Sequence, residues 1–96
     1  MEFIQCSKIE SIPLSNEKRC YFTAKKELNQ KFDTIEIIVN ENKVVNNKFL
    51  KIKIIKTIRE TKGIEKVSLI EFFNNVDSLV RFYVPKLSVI KCNNEY

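Results

Sequence analysis

Apolar and polar positions alternate along much of this chain, and alternation at a period of two predicts strands. Over 2–12 the apolar positions are Phe3, Ile4, Cys6, Ile9 and Ile12. That imperfect pattern predicts one strand, or two short ones, ending at Pro13. Residues 34–40 alternate more cleanly. Ile35, Ile37 and Val39 point to one face; Glu36, Ile38 and Asn40 point to the other. Residues 44–59 predict another long strand, or one split at Asn46-Asn47. Here Leu50, Ile52 and Ile54 share a face opposite Lys51 and Lys53. The alternation breaks at Ile55-Lys56, where a bulge would return Ile58 to the inward face. The Asn- and Glu-rich turn between 34–40 and 44–59 suggests that the two strands form an antiparallel hairpin. Thr61-Lys62-Gly63 reads as a turn, 64–67 as a short strand, and 86–92 as a last strand.

Two stretches carry a different period. Ser68-Leu69-Ile70-Glu71 has the form of a capping box, with Ser at the N-cap and Glu three residues on. Behind it Leu69, Phe72, Phe73, Val76, Leu79, Val80 and Tyr83 recur at helical spacing, and Pro85 disfavours helical geometry at Val84. The spacing predicts a helix over about 68–83. A second helix over about 16–30 has Ser15 as its cap and Cys20, Tyr21, Ala24, Leu28 and Phe32 on its apolar side. Cys20-Tyr21-Phe22-Thr23 has strand composition instead, so this stretch stays open between helix and strand. The sum is an α+β domain spanning 1–96, a small antiparallel sheet of four to five strands with one or two helices. With both helices the order is β-α-β-β-α-β, the ferredoxin-like arrangement, which this reading favours. With only the later helix, an OB-like barrel is the alternative.

Composition changes the picture mainly through what is missing. The chain has 96 residues, one glycine and no histidine. One glycine rules out glycine-rich phosphate loops and the Gly-x-Ser-x-Gly elbow. Lacking histidine, it lacks the commonest general base and metal ligand. Turns that need positive φ must fall to Asn or Asp, and the candidates are Asn40-Glu41-Asn42, Asn46-Asn47, Asn74-Asn75 and Asn93-Asn94. Cys6, Cys20 and Cys92 are too few and too widely spaced for a zinc set or a disulfide framework, so they read as buried thiols. No signal peptide and no membrane span can be read from the sequence. The expectation is a cytoplasmic, non-catalytic protein with no cofactor and no metal.

Charge supplies the one local anomaly. There are 17 basic and 12 acidic residues, a formal net charge of +5. Of the basic residues 14 are Lys and three are Arg, which together with 13 Ile and 10 Asn fits codon bias in an A/T-rich genome. Bias does not explain clustering, however. Residues 43–66 hold eight basic residues against Glu60 and Glu65, whereas the rest of the chain is almost balanced. Lys48, Lys51, Lys53, Lys56 and Arg59 therefore form a candidate surface for a polyanion or an acidic partner, with Phe49 as an aromatic beside them. Lysines on one strand face are also the ordinary solvated side of a half-buried sheet and discourage edge pairing. Phe82, if exposed beside Arg81, and Tyr21 are further candidate interface aromatics.

Two functions follow. The first is a small protein-binding protein: an inhibitor, adaptor or accessory subunit from a low-GC bacterium, phage or plasmid. Its sheet edge would take a partner strand or a second copy to make a homodimer. The alternative is a sequence-tolerant nucleic-acid-binding domain using the basic 43–66 region, since lysine acts as a point charge rather than a base-reading fork.

Overall fold

The chain folds almost entirely as β-structure. The computed structural model describes residues 1–59 and 66–92. Its strands are β1 (Glu2–Gln5), β2 (Lys8–Ser11), β3 (Glu17–Ala24), β4 (Asp33–Asn40), β5 (Val44–Val45), β6 (Phe49–Arg59), β7 (Lys66–Phe73), β8 (Leu79–Pro85) and β9 (Val89–Lys91), with single 3₁₀ turns at Glu41–Lys43 and Lys86–Ser88. They make two antiparallel sheets. One has the order β8-β7-β6-β1-β9, with β5 also on β6; the other is β2-β3-β4. No helix among the described residues is long and apolar enough to cross a membrane.

The α+β expectation is therefore overturned, and with it both the ferredoxin-like order and the OB-like alternative with a late helix. The predicted helix over 68–83 is the hairpin β7–β8, paired in register from Val67↔Pro85 to Phe73↔Leu79. Asn74 is the reason. Its side-chain Oδ1 accepts from the N–H groups of both Val76 and Ser78, and Asp77 takes φ 56°, closing a turn within a helical-looking apolar pattern. Ser68 caps nothing. It is buried in the sheet, its hydroxyl 3.0 Å from that of Thr57 across the β6–β7 ladder. The doubtful helix over 16–30 resolves into strand β3, central between β2 and β4, so the strand composition of Cys20-Tyr21-Phe22-Thr23 outweighs the helical spacing.

Other expectations meet mixed outcomes. The 2–12 stretch forms two short strands, and the chain turns from one sheet into the other at Cys6-Ser7. The 44–59 strand splits at Asn46-Asn47, whose φ values are 54° and 51°. The ladder slips between Ile54 and Lys56, the expected bulge. Beyond the slip Ile58 pairs with Val67, which is fully buried, and Ile58 is itself half-buried. The hairpin expected between 34–40 and 44–59 is absent, since β4 pairs with β3 and β6 with β1 and β7. In the last segment Leu87 lies exposed in a 3₁₀ turn, and the strand is only Val89–Lys91. The turn at 61–63 and the Asn93-Asn94 candidate lie outside the described residues.

The two inner faces pack on one another. Ile4, Leu50, Ile70 and Val84 come from the larger sheet; Ile9, Cys20, Ala24 and Val39 come from the smaller. Phe22 sits at the centre, edge-on to Phe72 and Phe82 at centroid distances of 6.1 and 5.7 Å. Such ring contacts stabilise by about 0.5–1.5 kcal/mol beyond area burial.

Candidate functional site

The basic residues singled out above take up scattered positions. Lys51, Lys53 and Lys56 share the outer face of β6, and the bulge at Ile55 keeps Lys56 in line with the other two. Lys48 lies in the turn before β6, its Nζ 5.8 Å from the centroid of the Phe49 ring. Arg59 ends the ladder opposite Lys66. The row is not purely cationic, because Lys53 pairs with Glu71, which also takes the Arg81 guanidinium at 3.1 Å. Phe49 is half-buried edge-on against Phe3, with centroids 6.5 Å apart, so its ring is engaged within a small outer cluster.

The other two aromatics are also engaged. Phe82 is 4% exposed, inside the three-ring cluster, so the condition that it stand open beside Arg81 is not met. Tyr21 lies on the outer face of the smaller sheet. Its hydroxyl donates to Glu36 Oε1 at 2.8 Å, and Arg19 Nε reaches the same oxygen at 3.1 Å. Bonding to Glu36, then to Glu10, pushes the Tyr21 phenol up to about 12. The same contact with Tyr21, aided by Lys8 and Arg19, holds the Glu10 carboxyl below its ordinary value. This face is a ladder of compensated charges.

Cys6 and Cys20 are buried free thiols, and the neighbouring Cys20 thiol together with burial pushes the Cys6 thiol up. Cys92 is exposed. Among the described residues no cluster of three or more His, Cys, Asp or Glu is placed to hold a metal.

The feature that side-chain chemistry did not reveal lies between the sheets. Strand β4 is the edge of one sheet and β8 the edge of the other. They approach across an open groove of about 600 Å³, floored by Ile35, Ile37, Val80 and Phe82. Backbone bonds clamp both ends. Lys25 and Tyr83 exchange N–H···O bonds of 2.9 and 2.8 Å at one end. At the other, Asn75 N–H donates to Ile38 O at 2.9 Å and its Nδ2 donates to Glu17 Oε2 at 3.0 Å. Lys25 itself is 6% exposed, its Nζ donating to Leu28 O at 3.1 Å and lying 4.5 Å from the Phe32 ring centroid.

These clamps fix which backbone groups face the groove. In an antiparallel ladder a residue sends its N–H and C=O to the same side, and neighbours alternate. Tyr83 turns both groups away from β7, so Arg81 and Leu79 do so too. Ile38 turns its C=O away from β3, so Glu36 and Thr34 follow. The Thr34 N–H is taken by Asp33 Oδ1 at 2.8 Å. Among the described residues no hydrogen bond is made by the backbone N–H and C=O of Glu36 on one side or of Arg81 on the other.

Comparison of the chain with family models, with curated proteins and with solved structures finds no match.

Proposed function

We propose that this is a non-catalytic binding protein whose partner is another polypeptide, held by strand addition to the open edge of β4. The observation that carries the reading is the unpaired backbone of Glu36 on a strand that is otherwise fully laddered to β3. An exposed edge of this kind offers main-chain hydrogen bonds to any extended segment, while flanking side chains select among segments. Placement in the cytoplasm belongs to the same reading, as do the roles of inhibitor, adaptor or accessory subunit. The outer lysines then serve as a solvated sheet face.

Site-specific photo-cross-linking in the producing cell tests this. A cross-linker at Thr34 should trap a discrete polypeptide, and one at Lys53 should not. Nucleic acid trapped at Lys53 with nothing at Thr34 would overturn the reading. A second copy of the chain trapped at Thr34 would make the partner the protein itself.

A further inference from the structure

The groove has two rails, and one edge alone uses only half of it. The geometry points to an occupant that is a single extended segment, lodged between β4 and β8, with apolar residues at alternate positions and acidic residues at the others. This rests on the proposed strand addition at β4 and goes further by naming β8 as its second wall.

Three observations define the occupant. First, unpaired N–H and C=O groups face the groove from both sides, at Glu36 and at Arg81. A strand at the edge of a folded sheet has one side already paired and can serve one rail only. A lone segment has both sides free and serves both. That argues against a second folded copy, which would bring an edge strand and the body behind it. Second, the floor is apolar and continuous with the core: Ile35, Ile37 and Val80 are half-buried over Phe82. Side chains alternate across a strand, so every second residue of the occupant meets this floor. Third, the rim carries Lys26, while Arg81 is already taken by Glu71 and Glu36 by Arg19 and Tyr21, on a chain of net charge +5. Outward positions of the occupant are therefore best filled by Asp or Glu. The clamps at Lys25–Tyr83 and Asn75–Ile38 limit the contact to the stretch 34–38 of β4, roughly 17 Å of strand.

The test uses the full chain and a synthetic eight-residue peptide of alternating Val and Asp. The controls are a composition-matched peptide without alternation and two peptides N-methylated on alternate nitrogens, each set blocking one edge. Isothermal titration gives affinity, and amide exchange by NMR reports which rail is engaged. The alternating peptide is expected to bind and to slow exchange at both Glu36 and Arg81. Either N-methylated set should weaken it by about tenfold or more, the loss of one or two hydrogen bonds on that side. The control without alternation should bind at least about tenfold more weakly, having lost its register with the floor. Arg81→Pro, which removes the β8 donor at an edge position where proline is tolerated, should weaken binding without unfolding the protein. Protection of Glu36 alone, with affinity indifferent to one N-methylated set, would overturn the two-rail inference and leave strand addition at β4 standing. Equal binding of the control without alternation would overturn the apolar-floor register. No binding at millimolar peptide would overturn the inference, while the cross-linking at Thr34 judges the broader reading separately.

Discussion

The outer face of β6 and the groove between β4 and β8 are opposites. The first is conspicuous in side chains and unremarkable in backbone. Lys51, Lys53 and Lys56 line up, yet the strand beneath them is paired with β1, β5 and β7. The second is plain in side chains and incomplete in backbone. Its Ile, Val and Phe residues belong to any core, but the backbone groups of Glu36 and Arg81 face open space. Charge clustering is a property of sequence and can arise without selection for binding. An unpaired sheet edge is a property of topology, and natural sheets usually cover or blunt it. The second observation therefore weighs more as a sign of function.

The largest effect that would sharpen this contrast is on stability. Phe82 is both floor of the groove and member of the three-ring cluster, so Phe82→Ala should cost about 3–5 kcal/mol. Phe49→Ala, on the outer cluster, should cost clearly less in the same urea titration, because Phe49 is half-buried and touches one ring. Equal losses would mean that the two faces are equally part of the core.

The next test concerns the lysines. Lys51→Glu with Lys53→Glu should cost only about 1 kcal/mol of stability, mostly from setting a second carboxylate opposite Glu71. It should leave peptide binding in the groove unaltered. If it instead abolished salt-sensitive binding to single-stranded DNA or RNA, measured by fluorescence anisotropy, the lysine face would be the functional one.

Smaller effects concern titration and thiol access. The Tyr21 phenol has its folded pKa raised to about 12, so its interaction favours folding below pH 10 and is lost as pH rises through 12. Glu10 runs the other way. Its lowered pKa adds stability above its unfolded value that is lost as pH falls through the folded one. Ultraviolet titration should show a late-ionising tyrosine that disappears in Tyr21→Phe. A thiol reagent should modify Cys92 rapidly in the native protein and Cys6 and Cys20 only after unfolding. Fast modification of all three would show that the corner between the sheets opens readily.

Much of the strand content was legible in the sequence because alternation is local. Ile35, Ile37 and Val39 announce β4, and Asn46-Asn47 announces the break before β6 through its tolerance of positive φ. The β7–β8 hairpin was not legible. Leu69, Phe72, Phe73, Val76, Leu79, Val80 and Tyr83 fit a helix as well as they fit two strands, and only the Asn74 side chain, bonding to Val76 and Ser78, decides for a turn. That misreading hid the site as well. A groove between β4 and β8 cannot be foreseen while residues 79–85 are assigned to a helix. The groups proposed to bind there are backbone atoms, which no residue pattern distinguishes. The basic residues cluster in the sequence, but the placement of Lys53 opposite Glu71 and the spread of Lys48 and Arg59 to the ends of β6 depend on strand register.

The most direct measurement is amide hydrogen exchange in the free protein, resolved by residue. An open groove predicts fast exchange at Glu36 and Arg81, with their neighbours Ile35, Ile37, Val80 and Phe82 slowed by orders of magnitude by the β3 and β7 ladders. Protection of Glu36 and Arg81 equal to that of these neighbours would show both edges already paired and would contradict the account.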